Sequence, residues 1–151
     1  MEDSAPARVL IVAHKTAATA PLLDAVRERA ARGPATFSLL VPNSAEGLHR
    51  IVDPEDQGTS GAETVVEQAL PRLRDAAGSD VEGTVGSSEP MSAIHDAINL
   101  RGVDEIILST LPTHLSQWLK LDLPSKVAGL GLPLTTVTPS DDEIEAGTGG
   151  A

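Results

Sequence analysis

The segment "VEGTVGSSEPMSAIHDAINLRGVDEIILST", Val81 to Thr110, has the pattern of two strands joined by one helix. "VEGTVG" predicts a strand, and "PMSAIHDAINLRG" predicts a helix that ends at Gly102. "DEIILST" is a second apolar run and predicts a buried strand. The segment is therefore interpreted as one strand–helix–strand unit.

Towards the N-terminus the same alternation continues. "RVLIVA" (8–13) is aliphatic without polar alternation, as expected for a central parallel strand covered on both faces. "TAPLLDAVRERAARG" predicts a helix, "ATFSLLVP" a strand and "ETVVEQALPRLRDAAG" a further helix. Thr19 is expected to cap the first of these helices, and Ser60 with Glu63 forms a capping box for the second.

Towards the C-terminus, "PSKVAGLG" predicts a short helix and "PLTTVT" a last strand. Five strands alternating with four helices predict one α/β domain with a doubly wound parallel sheet, in the order 3-2-1-4-5, flanked by helices. We place this domain at residues 8–138. Residues 1–7 and 139–151 are expected to be flexible termini, since the acidic tail has no apolar periodicity.

Composition excludes several classes of function. The 151 residues suffice for one core, and the net charge of -11 without a basic patch argues against nucleic-acid binding. No apolar run reaches the ~18 to 20 residues of a membrane span, and "MEDSAPAR" is unlike a secretory signal, so we expect a cytoplasmic protein without a membrane partner. The absence of cysteine excludes disulfides and thiolate metal sites, and no metal site is predicted.

Catalytic motifs are also missing from the sequence. There is no cysteine nucleophile, no G-x-S-x-G elbow, no P-loop and no G-x-G-x-x-G. We therefore predict that the protein is not an enzyme and assign no catalytic residue.

Ligands of doubly wound sheets bind outside the carboxyl ends of the strands, where the strand order reverses. Three stretches have this position: "AHKT" after the first strand, "GSSEP" after the third and the turn within "ILSTLPTHLSQWLKLD" after the fourth. Simple loop solvation, turn stabilisation and helix capping remain alternatives for their polar side chains. The candidate ligand-binding residues are His14, Lys15, Thr16, Ser109, Thr110, Thr113, His114 and Ser125.

The segment 81–110, followed by "LPSKVAGLGLPLTTV", resembles the C-terminal half of a universal stress protein. The similarity lies in a G-[DS]-x-P-like turn before the third helix, a [VA]-D-x-I-[IV]-[VL] strand, an S-x-x-V helix and a final P-[VL]-x-x-V strand. "VLIVAHKTAATAPLLDAV" fits the first strand and helix of that family, so the resemblance covers residues 8–138. It implies a fold of the universal stress protein and adenine-nucleotide α-hydrolase type.

The resemblance also bears on ATP, because ATP-binding members of the family carry G-x2-G-x9-G-[ST] after the fourth strand. At the same spacing this chain has Ser109, Pro112 and Asp122. Proline removes an amide donor, and the carboxylate of Asp122 repels phosphate oxygens. In the first loop, where an aspartate of the family contacts adenosine, this chain has His14 at or next to that position. A degenerate ATP site without a cofactor is expected, with ATP or AMP as the alternative.

Three functional hypotheses follow. The first is a non-catalytic, universal-stress-like domain that acts in the stress response through association with an unidentified protein partner. The second is a module that binds a nucleotide or another small anion through "AHKT" and helix N-termini. The third is a small α/β nucleotide hydrolase or transferase. We further expect a homodimer paired through the last strand, which is an edge of the predicted sheet.

Overall fold

Strands and helices alternate along the part of the chain that the computed structural model describes, which is residues 6–14, 17, 19–42, 58–87, 89–110 and 122–138. The strands are β1 (Ala7–Val12), β2 (Ala35–Pro42), β3 (Val81–Gly86), β4 (Glu105–Ser109) and β5 (Leu134–Val137). The helices are α1 (Ala20–Arg32), α2 (Gly58–Ala77), α3 (Pro90–Arg101) and α4 (Leu123–Ala128).

The five strands form one parallel sheet in the order β3-β2-β1-β4-β5. β1 lies at its centre, where Val9 is paired with Phe37 of β2 on one side and with Glu105 of β4 on the other. The predicted fold class and strand order are thus confirmed.

Side chains that alternate along the strands form two apolar layers, one on each face of the sheet. One layer packs under α1 and α2, and the other packs under α3 and α4. β1 contributes to both, since Val9 and Ile11 lie in the first layer and Leu10 and Val12 in the second. Each such aliphatic side chain stabilises the fold by roughly 1.5–3 kcal/mol when it is fully buried. This explains why the β1 sequence is aliphatic without alternation.

The helix ends show where the capping predictions hold. α1 begins directly after Thr19, but the Thr19 side chain makes no capping hydrogen bond. α2 begins at Gly58, so Ser60 lies inside the helix. The predicted capping box is therefore wrong, because a capping serine must precede the helix that it caps. α3 ends as predicted at Gly102, whose φ of 76° is in the left-handed region and whose N–H donates to the carbonyl of Ile98.

Two of the ion pairs at the amino end of the sheet join β1 and α1 to the residues at the start of β4. Arg8 on β1 donates from Nε and Nη2 to the carboxylate of Asp104, at 3.0 and 3.1 Å. These side-chain hydrogen bonds lower the pKa of Asp104 to about 2. Arg29 of α1 donates to Glu105 at 2.8 Å, and the two side chains are only 13% and 14% exposed. The amino end of the sheet is thus tied by charge pairs.

Candidate functional site

The candidate site lies between β1 and β4, where the strand order reverses. From β1 the chain continues to β2 on one side, and from β4 it continues to β5 on the other. Val12 is paired with Leu108 at the end of the β1–β4 ladder. The two chains therefore leave the sheet at the same edge, where His14 follows Val12 by two residues and Thr110 follows Leu108 by two residues. In doubly wound sheets this is the position of the ligand crevice.

The polar groups at this position are shielded from water. Ser109 and Thr110 are each only 1% exposed, and His14 is half-buried with both imidazole nitrogens covered. Hydroxyl and neutral imidazole groups both donate and accept hydrogen bonds, which suits a sugar hydroxyl or the edge of a base. The structure brings these three predicted residues together at one end of the sheet.

Thr110 is also held by the neighbouring strand. Its N–H donates to the carbonyl of Val137 at 2.9 Å, and its hydroxyl lies 3.0 Å from the hydroxyl of Thr138. No local sequence pattern predicts the Thr138 contact, because it depends on the register between β4 and β5. Thr138 is therefore a site residue that sequence reasoning missed.

Among the other predicted ligand-binding residues, the structure describes Ser125. Lys15, Thr16, Thr113 and His114 lie outside the described residues. Ser125 is exposed on α4, where its carbonyl accepts a hydrogen bond from the N–H of Gly129.

The three positions aligned with glycines of the ATP motif differ in their surroundings. Ser109 is the last, buried residue of β4, and Pro112 lies outside the described residues. Asp122 immediately precedes α4 with φ 60° and ψ 38°, and its side chain makes no capping hydrogen bond. This left-handed conformation is one that glycine adopts freely and that other residues seldom adopt. The backbone at Asp122 is therefore of the kind that a glycine position requires, while the side chain adds a negative charge.

The N-terminus of α3, within "GSSEP", is closed by its own residues. Glu89 Oε1 accepts a hydrogen bond from the N–H of Ser92 at 2.7 Å, and this bond lowers the pKa of Glu89. Ser87 Oγ accepts from the N–H of Glu89 at 3.1 Å and lies 3.2 Å from the Glu89 carbonyl. An acidic residue directly before Pro90 was the available signal for this cap. Because a carboxylate already lies there, this helix start is a poor place for an external anion.

The described ranges lack two other kinds of feature. They contain no group of three or more His, Cys, Asp or Glu residues arranged to hold a metal ion. The helices in the same ranges include none that is long and apolar enough to cross a membrane.

No protein-family model matches the sequence. No curated protein matches it at a significant level.

Solved structures do share the fold. A universal stress protein in complex with cAMP superposes with a TM-score of 0.60 at 18% identity, over 91% of this chain and 100% of that one. A universal stress protein family protein from Arabidopsis thaliana with AMP bound has a TM-score of 0.61 at 13% identity, over 91% and 95%. The universal stress protein from Archaeoglobus fulgidus in complex with dAMP has a TM-score of 0.57 at 14% identity, over 89% and 99%. The chain thus has the universal stress protein fold, which confirms at the level of structure the resemblance seen in the sequence.

Proposed function

We propose that this protein is a non-catalytic, universal-stress-like module that binds an adenine mononucleotide in preference to ATP. In this proposal it acts in the stress response by association with other proteins. The observation that carries the nucleotide proposal is that β1 and β4 end side by side, so that His14 and Thr110 follow their ends at the point where the strand order reverses. Three structures with the same fold were solved with cAMP, AMP and dAMP, which supports a ligand of this class.

The residues at the crevice suit a nucleoside better than a polyphosphate. Ser109 and Thr110 place hydroxyl groups away from water, where a hydrogen bond is electrostatically stronger than in solvent. No lysine or arginine is among the described residues of this group, whereas a triphosphate needs such charges or a row of free amides. These side chains therefore favour recognition of the sugar and base.

Two carboxylates further disfavour a long phosphate chain. Asp122 stands at the start of α4, and Glu89 occupies the start of α3, and both helices begin at the carboxyl end of the sheet. The whole chain also carries a net charge of -11. Repulsion grows with ligand charge, so ATP loses more binding energy than AMP.

Calorimetric titration with AMP and with Mg-ATP tests the proposal. We expect AMP to bind more tightly than Mg-ATP, and Asp122→Asn to strengthen Mg-ATP binding by several-fold, on the order of 1 kcal/mol, with little change for AMP. Asparagine suits this test because it tolerates the left-handed conformation and removes only the charge. Tighter binding of Mg-ATP than of AMP by the unmodified protein, or no binding of either nucleotide, would contradict it.

A further inference from the structure

The backbone groups of β2 that face β3 can be identified from the pairing of β1 with β2. The N–H of Ala7 donates to the carbonyl of Pro34, and the N–H of Ala13 donates to the carbonyl of Leu40. Backbone groups of successive strand residues point alternately to the two sides of the strand. The even-numbered residues of β2 therefore face β1, and the odd-numbered residues face β3.

The same reasoning identifies the free side of β3, which ends the described sheet. Phe37 of β2 is paired with Val81 of β3. In a parallel ladder a residue bonds to the two neighbours of its partner, so the even-numbered residues of β3 face β2. Val81, Gly83 and Val85 therefore direct their N–H and C=O groups outward.

Within the described part of the chain, nearby side chains satisfy the first of these three outward residues. The N–H of Val81 donates to the carboxylate of Asp80 at 3.0 Å, and its carbonyl accepts from Arg74 Nη2 at 3.2 Å. Within the described residues, no such bond is found for the outward groups of Gly83 and Val85. An edge with unpaired N–H and C=O groups is a template for another strand. Gly83 and Val85 together offer it two donors and two acceptors.

On the α2 side, this open edge is bordered by carboxylates. Leu70 of α2 lies over Gly83, since a Cβ added to Gly83 would be 3.2 Å from Leu70 Cδ1. Arg74 lies one turn further along and reaches the beginning of β3. Glu67 and Glu63 precede Arg74 by seven and eleven residues, which places them on the same side of the helix. Both are exposed and lie towards the end of β3 where the backbone is open.

On the opposite, α3 side, the edge is bordered by an apolar groove of about 230 Å³ between α3 and β3. Leu40 forms part of its floor, and Ala97 and Leu100 form part of its wall. Leu100 is 83% exposed and is the large apolar side chain most open to water in the described chain. Arg101 closes one end, where it pairs with Glu82.

We propose that the β3 edge accepts an extended segment of a partner protein in which aliphatic and basic residues alternate. Side chains of a strand alternate between its faces, so the aliphatic residues enter the groove while the basic residues meet Glu63 and Glu67. A second copy of this chain fits the edge less well, because both copies would bring the same carboxylates and a net charge of -11 each. This inference rests on the association role proposed above and names its surface.

The test uses a synthetic peptide of sequence KVKIKVK with blocked ends, titrated into the full chain and followed by NMR. We expect saturable shifts of the Gly83, Val85 and Leu100 amides. Val85→Pro should weaken peptide binding about ten-fold, because it removes an outward N–H donor and leaves the β2–β3 ladder intact. Val85→Ala is the matched control, since it loses the same side chain but keeps the N–H, and it should bind nearly as the parent does.

A charge reversal gives a second measurement if Val85→Pro does not fold. Glu67→Lys should weaken peptide binding several-fold, because the new lysine repels the lysines of the peptide. Glu28→Lys on α1 changes the net charge equally at an exposed position far from β3 in the fold, and should have a smaller effect.

Three outcomes would overturn the inference. A KVKIKVK peptide in which alternate amides are N-methylated keeps its charge and side chains but loses backbone donors. If it binds as tightly as the unmethylated peptide, the binding is general electrostatic attraction and not strand pairing. Absence of binding at millimolar KVKIKVK would also reject it. If the parent protein is a dimer without peptide, and Val85→Pro dissociates it, the β3 edge is a surface for self-association. The AMP titration does not depend on any of these results, so the nucleotide proposal and this inference fail separately.

Discussion

Asp104 is the residue whose protonation is most clearly linked to stability. Its folded pKa of about 2 lies below the ordinary value of 3.8, chiefly because Arg8 donates side-chain hydrogen bonds to the carboxylate. A lowered acid pKa means that the charged form is favoured by folding. The stabilisation is therefore complete above about pH 4 and is lost as the pH falls towards 2.

We expect Asp104→Asn to remove this pH-dependent stabilisation. The parent should be more stable than this variant at pH 5 and above, and the difference should shrink between about pH 4 and pH 2. Denaturant unfolding of both proteins at several pH values measures this difference. A difference that stays constant down to pH 2 would show that the ion pair does not act through the charge of Asp104.

At the residue scale, the sequence predicted which residues follow the strands but not which of them meet. His14 and Thr110 were both expected at the carboxyl end of the sheet, because each follows an aliphatic run. Their placement at the ends of neighbouring strands depends on the pairing of β1 with β4, and the Thr110–Thr138 contact depends on the β4–β5 register. Residues far apart in the chain set these registers, so no local pattern predicts them. The left-handed backbone of Asp122 was likewise beyond a local prediction.

At the element scale, the packing of α3 against β3 depends on a residue without a side chain. A Cβ at Gly86 would stand 2.7 Å from the Cβ of Ala93 and 2.8 Å from Leu40 Cδ1. The Ala93 atom is fixed to the helix backbone, so it yields only if α3 moves. Gly86 therefore permits the close approach of α3 to the end of β3.

We expect Gly86→Ala to destabilise the fold by about 1–3 kcal/mol through this overpacking. Ala93→Gly alone should cost about 1 kcal/mol in helix propensity. The double variant should be less destabilised than the sum of the two, because removing the second Cβ restores the space. Thermal or denaturant unfolding of the four proteins measures this coupling, and simple additivity would contradict the proposed contact.

The elements themselves were largely predictable, and their caps were less so. The predicted β2 and β3 strands coincide with the observed bounds, since apolar, β-rich runs are bounded by residues that favour turns. The predicted beginning of α2 was wrong because several small polar residues precede the apolar stripe of this helix, and each is a plausible cap. Glu89 was missed because glutamate is an uncommon capping residue compared with serine or aspartate.

At the scale of the whole molecule, the predicted homodimer depends on the β5 edge. The N–H of Ile106 donates to the carbonyl of Pro133, and the N–H of Thr110 donates to that of Val137. The odd-numbered residues of β5 therefore face β4, and Leu134 and Thr136 direct their backbone groups outward. No charged side chain within β5 opposes pairing with a second copy.

Thr136→Pro should dissociate such a dimer, because proline removes an outward donor and leaves the β4–β5 ladder in place. Thr136→Val keeps the N–H and should remain dimeric. Light scattering of the parent and both variants measures their masses. A monomeric parent, or a Thr136→Pro dimer as tight as the parent, would reject this interface.

The strand order also fixes when the centre of the sheet can be completed during synthesis. β1 leaves the ribosome before the other four strands of the described sheet, yet its β4 neighbour begins only at Glu105, after β2, β3 and three helices. Until then, the side of β1 that will face β4 is an open edge. A chain interrupted before Glu105 therefore exposes at its edge the aliphatic strand that lies at the centre of the finished protein.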